Sequence, residues 1–163
     1  MNIKIEEPQD SEVLRLRDLR LRALEDAPYA FGAKHNVESE KPIEYWQNYL
    51  ENTYWCFATF DRKDIGLLAV DKADADRGSD CWMSSWWLAE SYRGKGVPKV
   101  MLEWLDNLCE TKGWHKQGLG VWPENERAIA AYIKLGFIKG EKPLQSRSRP
   151  EKMYLPMYRN LPL

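Results

Sequence analysis

Residues 2–6, NIKIE, alternate apolar and polar positions, the period of a half-buried strand. From Val13 the period changes. Val13, Leu16, Leu19, Leu21 and Leu24 give VLRLRDLRLRAL a helical apolar stripe, which predicts that its arginines face water. Pro28 and Gly32, in EDAPYAFG, end that helix. PIEYWQNYLE, residues 42–51, predicts a second helix with Pro42 near its first turn. YWCFATF (54–60) and IGLLAVD (65–71) read as a hairpin around the turn DRKD, and CWMSSWWLA (81–89) follows as a third strand after a polar connection. A helix is predicted from about Pro98 to Thr111, with Gly113 just past its end. KQGLGVW (116–122) is a strand, residues 125–135 are a helix ended by Gly136, and FIKG and EKMYLPMY are the last two strands, joined by the basic loop QSRSR. This order predicts a mixed α/β domain. No repeat or long linker divides the 163 residues, so one domain, 1–163, is expected.

Composition narrows the function. The formal net charge is −1, which provides no overall field for nucleic acid, so any attraction for an anion is local. No apolar run approaches the ~18 residues of a membrane span, and no signal-peptide core opens the chain; a cytoplasmic protein with no membrane partner is expected. Cys56, Cys81 and Cys109 form no CxxC pair and read as reduced, buried fillers. His35 and His115 show no ligand spacing, so no metal is expected. The eight tryptophans either pack the core or line a substrate groove.

Local charge concentrates in ESYRGKGVPKVMLEWL, residues 90–105. A helix entrance leaves ~4 N–H groups unpaired and carries about half a positive charge. Gly94 and Gly96 let backbone approach an oxygen, and Arg93, Lys95 and Lys99 add mobile cations, an arrangement suited to a pyrophosphate. Lys95 is followed by glycine, not Ser or Thr, so this is no nucleoside-triphosphate loop, and the third glycine of a dinucleotide fingerprint is missing. The alternative is a plain strand-to-helix turn with solvated bases. Pro98 is tolerable in a first helical turn but removes one donor, and a hydrogen bond lost to a charged group costs ~1.5–3 kcal/mol.

A second constellation is NERAIAAYIKLGF. Asn125, Ala128 and Tyr132 fall on one helix face, with roughly 10 Å of rise between the amide and the phenol. An extended ligand lying against small Ala128 would touch both ends. Alternatively, Asn125 caps the helix and the others pack.

Together the two stretches resemble the GNAT superfamily of N-acetyltransferases, whose members carry an Arg/Gln-x-x-Gly-x-Gly/Ala turn followed by Asn-x-x-Ala-x-x-x-Tyr and Gly-Phe. Arg93 and Gly96 fill the first two places of the turn, and Pro98 departs from the third. Asn125, Ala128, Tyr132, Gly136 and Phe137 match the second element. The resemblance implies a mostly antiparallel central sheet flanked by helices, with two splayed parallel strands forming a cleft for acetyl-CoA. It places the pyrophosphate on residues 93–99 (Arg93, Gly94, Lys95, Gly96, Val97, Lys99) and the pantetheine arm beside the backbone near Leu88, which also offers the oxyanion donor. Asn125 would hydrogen-bond the arm, and Tyr132 would face the sulfur.

The chemistry this implies is acetyl transfer directly to a primary amine of a small molecule. The alternatives are a protein or peptide acceptor, or a non-catalytic acyl-CoA-binding module. A phenol of pKa ~10 facing a thiol of ~8.5 leaves ~2 kcal/mol for a positioned general acid, Tyr132, to overcome. No cysteine lies in the motifs, so an acetyl-cysteine step has no seat. The candidate carboxylates for a base are Glu90, at the end of the strand 81–89, and Glu38 and Glu40, in the acceptor-side loop, all read as solvated. Tyr29, Phe31, Trp82 and Trp86 either line an acceptor pocket or pack the core. The resemblance also allows a homodimer through C-terminal edge strands.

Overall fold

The computed structural model describes residues 1–161, so the last two residues of the predicted domain 1–163 lie outside it. The elements run β1 (Lys4–Glu6), α1 (Val13–Asp26), α2 (His35–Glu38), α3 (Ile43–Asn52), β2 (Tyr54–Phe60), β3 (Lys63–Lys72) and β4 (Cys81–Leu88). There follow α4 (Val97–Lys112), β5 (Lys116–Val121), α5 (Glu126–Lys134), β6 (Ile138–Lys139), β7 (Leu144–Gln145) and β8 (Met153–Asn160). One sheet runs β1-β2-β3-β4-β5-β8-β6, with β7 also on β8. Every pairing is antiparallel except β4 with β5. This is the predicted mixed, mostly antiparallel sheet. It adds two elements too short to show a period: the single turn α2 and the two-residue β7.

Helices cover both faces. Val97, Met101, Leu102, Leu105 and Cys109 of α4 pack with Ile129 of α5 against one face, while Leu16, Leu19 and Ala23 of α1 pack with Trp46 and Leu50 of α3 against the other. The hairpin turn is tighter than predicted: Asp61 and Arg62 take φ of 50° and 63°, and β3 already begins at Lys63. Gly113 ends α4 at φ 72°, where glycine avoids a Cβ clash. No helix among the described residues is long and apolar enough to cross a membrane.

One arginine of α1 departs from the expected wet face. Arg20 does not face water; it is 5% exposed, with Leu16, Leu19, Ala23 and Leu24 beside it on the buried stripe. Its place four residues from both Leu16 and Leu24 puts it on that face. The Phe31 ring lies 5.1 Å from its guanidinium, and Glu38 of α2 is its ionic partner.

The strand β4 positions the site. Ala69 pairs with Ser84 and Leu67 with Trp87, so Leu68 alone opposes Ser85 and Trp86. That extra residue is a β-bulge, and Ser85 sits in it at φ 53°. The bulge inverts the alternation of the strand. Cys81 and Met83 pack on the α4 side before it, and Trp87 joins the α1 side after it.

Candidate functional site

A wedge opens beside the bulge. β4 and β5 pair only at Cys81–Gln117, Trp82–Gly118 and Met83–Leu119; beyond that β5 stays with β8 while β4 leaves it. The end of β4 presents backbone to this opening. Gly66 opposes Leu88, and the Ala89 N–H donates to the Ile65 carbonyl at 2.7 Å. That spacing makes Gly66–Leu88 a non-hydrogen-bonded pair, so the N–H and C=O of Leu88 point away from β3, toward the opening. The Leu88 carbonyl is taken by Arg93 Nε at 2.9 Å, and the N–H faces the side β5 has left.

The turn after β4 divides its predicted residues into two roles. Gly94 and Gly96 take φ of 74° and 81°, and beyond the adjoining residues no atom lies within 4 Å of where a Cβ would stand on either. The turn is therefore an open cradle that side chains would both strain and fill. Val97 is fully buried and anchors the first turn of α4, with Pro98 second. The N–H groups of Val97 and Lys99 have no intrahelical acceptor there, and Lys95 and Lys99 are exposed. The proline leaves the helix start intact.

Arg93, by contrast, is committed to the protein. Its N–H donates to Glu90 at 3.1 Å, and its guanidinium donates to Leu88 and, at 2.9 Å, to Asp26 at the end of α1. Asp26 also accepts from Trp87 Nε1 at 2.8 Å. An open depression of about 490 Å³ lies beside this brace, lined by Arg22, Asp26, Trp87, Ala89, Glu90 and Ser91. It sits on the α1 side of β4 and is distinct from the wedge toward β5.

Helix α5 supplies the other end. Asn125 caps it, its Oδ1 accepting from the Ala128 N–H at 3.3 Å, and its Nδ2 makes no hydrogen bond to the described residues. Capping and ligand binding are thus compatible, because they use different atoms of one amide. The Tyr132 ring stacks on Trp86 with centroids 5.6 Å apart and planes at 25°, and meets Phe137 at 6.0 Å. Because Trp86 belongs to the bulge, this stack brings the phenol to the same stretch of β4. Burial pushes the Tyr132 phenol up to about 12.

On the opposite face, Tyr49 of α3 lies with its hydroxyl 3.5 Å from Ser85 Oγ. Tyr45, one turn earlier, has its ring centroid 6.0 Å from that of Tyr49. Burial and the neighbouring Glu38 carboxylate push the Tyr45 phenol up. Glu38 is 6% exposed, not solvated as expected, whereas Glu40 and Glu90 are exposed. Glu38 stands 3.9 Å from Arg20, too far for a hydrogen bond, and its Oε2 has no partner among the described residues; the same holds for Arg20 Nε and Nη1.

Of the four candidate aromatics, Trp86 lies at the wedge and Phe31 covers Arg20. Trp82 packs between Arg77 and Tyr154, and Tyr29 is 64% exposed. The basic loop is tied to the protein: Arg147 pairs with Asp74 and Asp76, Arg149 Nε donates to the Gly32 carbonyl at 3.1 Å, and Lys152, just beyond the loop, pairs with Glu124. All three thiols are buried and free. No group of three or more His, Cys, Asp or Glu among the described residues is placed to hold a metal. Ser85 stood out in the sequence only as one of the two serines of its strand, and nothing there pointed to Tyr49. The signal for the first was the Ser84–Ser85 pair, where the apolar alternation of Cys81 and Met83 shifts phase toward Trp86 and Leu88.

The sequence model of the acetyltransferase (GNAT) family matches residues 15–137. A curated relative, the uncharacterized N-acetyltransferase YdgE of Bacillus subtilis, is 25% identical over 121 residues, covering 64% of this chain and 77% of its own. Among solved structures, the PaiA N-acetyltransferase of Thermoplasma acidophilum in complex with coenzyme A superposes with TM-score 0.72 at 17% identity, over 99% of this chain and 100% of that one. A ribosomal-protein-alanine N-acetyltransferase of Brucella melitensis gives TM-score 0.74 at 19% identity, over 97% and 99%. YncA of Salmonella typhimurium, a putative acetyltransferase with its cofactor acetyl-CoA, gives 0.72 at 16%, over 100% and 96%. At these identities the structures speak for the fold.

Proposed function

The chain belongs to the acetyltransferase (GNAT) family, and we propose that it moves an acetyl group directly from acetyl-CoA to the primary amine of a small molecule. The observation that carries this reading is the wedge between β4 and β5, with the open glycine turn at one end and Tyr132 at the bulge. Structural neighbours crystallised with coenzyme A or acetyl-CoA support the donor. Acetyl-CoA would supply an activated acyl group and a thiol able to leave.

The N–H groups of Val97 and Lys99, with the ammonium groups of Lys95 and Lys99, would hold its phosphates over Gly94 and Gly96. Arg93 is a positioning residue in this account: it fixes the Leu88 carbonyl and ties the turn to α1 through Asp26. The Leu88 N–H would then be placed to donate to the acyl oxygen on which charge develops. Asn125 Nδ2 would donate to an amide carbonyl of the pantetheine arm.

Tyr132 donates to the departing sulfur. With the phenol at about 12 and a thiol near ~8.5, complete proton transfer costs ~5 kcal/mol. That fits within the ~16 kcal/mol barrier of a turnover near ~10 per second, and it keeps the phenol protonated throughout neutral pH. An alkyl amine of pKa ~10.4 is about 0.04% neutral at pH ~7, so its proton needs an exit. We assign that exit to Ser85, Tyr49, Tyr45 and Glu38, the polar groups leading from the bulge to the buried carboxylate.

The small acceptor is supported by two loops that meet across this face. Arg149 holds the Gly32 carbonyl, and a Cβ on Gly32 would stand 1.9 Å from Ser148 Oγ; we read this close loop contact as favouring a small amine over a polypeptide. Acetyl-CoA-dependent thiol release, measured with panels of small amines and of peptides, tests the reading. Turnover with a small amine is expected. Acetylation confined to peptides would overturn the acceptor class, and absence of acetyl-CoA binding would overturn the whole assignment.

A further inference from the structure

Two of the three thiols are paired in space. Cys81 opens β4 and Cys109 lies near the end of α4; both are fully buried, and their sulfurs are 3.7 Å apart although the residues are 28 apart in sequence. Their surroundings distinguish them. Gln117 Nε2 donates to Cys109 Sγ at 3.6 Å and to Asp106 at 2.7 Å, and Arg159 bonds both Asp106 and Gln117. The Gln117 amide aims at the Cys109 sulfur; the contact with Cys81 and that amide hold the Cys109 thiol below its ordinary range, while the contact with Cys109 and burial push Cys81 up. Cys56 has no sulfur neighbour among the described residues, and burial, with the nearby Glu7 carboxylate, pushes its thiol up. The chain therefore contains a poised dithiol and an isolated control thiol.

We propose that Cys81 and Cys109 form an oxidisable dithiol site that a hydroperoxide converts to an intrachain disulfide, joining the first residue of β4 to the end of α4. In the first step the Cys109 sulfur attacks the hydroperoxide. The O–O bond breaks, Cys109 becomes a sulfenic acid, and water or an alcohol leaves with the thiol proton. In the second step the Cys81 sulfur attacks the sulfenic sulfur. The S–O bond breaks, the S–S bond forms, and water leaves with the second thiol proton. Two thiols thus lose two electrons and two protons, and the hydroperoxide is reduced by the same amount. The sulfurs must close from 3.7 Å to about 2.05 Å, a shift within reach of side-chain rotation and a small slide of the helix end.

The location gives the bond a consequence. Cys81 pairs with Gln117 where the β4–β5 contact begins, and that contact ends where the wedge opens. Helix α4 starts at the glycine turn and ends near Cys109. A disulfide would tie the closed end of the wedge to the helix that carries its cradle. Because both sulfurs are buried, the peroxide reaches them when the end of α4 lifts, so oxidation is slower than that of an exposed thiol.

The test uses the full chain and hydrogen peroxide, followed by alkylation of remaining thiols, intact mass measurement and a non-reducing digest. The expected result is a loss of about 2 Da with one thiol left for alkylation, a peptide linking Cys81 to Cys109, reversal by dithiothreitol, and a raised thermal midpoint for the oxidised form. Cys56→Ser should behave like the wild type, and Cys109→Ser should form no intrachain bond. Three alkylatable thiols after treatment, a bond that includes Cys56, or cross-linking between molecules would each overturn the proposal. Should Cys109→Ser fail to fold, the Cys56→Ser variant still decides, because any bond it forms within one chain joins the two named residues.

Discussion

Replacing Tyr132 with phenylalanine removes one oxygen and leaves the ring. The stack on Trp86 and the contact with Phe137 survive, and the hydroxyl makes no hydrogen bond to the described residues. Stability should therefore change by less than ~0.5 kcal/mol. The catalytic loss is larger. A hydrogen bond to a group gaining charge is worth ~1.5–3 kcal/mol, which is about 10- to 150-fold in turnover. Acetyl-CoA affinity should stay within about two-fold, because the phenol faces the reacting sulfur and not the phosphates. The pH dependence adds a sharper constraint. Tyr132 acts in its protonated form, and with the phenol raised to about 12 that form persists above the ordinary ~10 and is lost only as pH climbs through about 12. The assay is thiol release from acetyl-CoA from about pH 7 to about pH 11, with wild type and Tyr132→Phe compared at saturating amine. Equal turnover in the two enzymes would remove the phenol from the mechanism. A wild-type decline centred near ~10 that the variant lacks would show that burial does not hold the phenol protonated.

Gly96→Ala forces a Cβ onto a residue at φ 81°, so it should cost ~1–2 kcal/mol in urea melts and weaken acetyl-CoA binding by calorimetry. Pro98→Ala restores one N–H in the first turn of α4; if a phosphate reads that turn, calorimetry should show several-fold tighter coenzyme A. Glu38→Gln leaves the buried Arg20 guanidinium without its counter-charge, and should lower stability by ~3 kcal/mol in urea while slowing turnover of alkyl amines more than that of amines already neutral at the assay pH. Asp26→Asn loses the charge partner of Arg93 but keeps an acceptor for Trp87, so a loss of at most ~1 kcal/mol is expected from these part-exposed groups.

What could be read from the chain was what neighbours in sequence decide. Gly113 ends α4, Asn125 caps α5, and Ala128 and Tyr132 share its face, because helix geometry and capping depend on residues a few positions away. The glycine turn was legible for the same reason. The side chain of Arg93 was not, since its acceptors are fixed by the end of β4 and by α1, the latter 67 residues distant. Arg20 had the spacing of a buried position, but its charge argued for water until Glu38 and Phe31 arrived from the next loop. The bulge at Ser85 depends on pairing with β3, and the Cys81–Cys109 contact on packing of α4 over β4; neither leaves a periodic trace. α2 and β7 are shorter than any period that would announce them.

The account rests on acetyl-CoA lying between β4 and β5, and amide NMR during titration with acetyl-CoA tests that residue by residue. The N–H signals of Leu88, Gly94, Gly96, Val97 and Lys99 should shift together and saturate at one stoichiometric equivalent, with the Asn125 side-chain amide moving in step. If those signals stay fixed while acetyl-CoA binds, or if the shifts gather in the depression lined by Arg22, Asp26 and Ser91, the ligand lies elsewhere and the account is wrong.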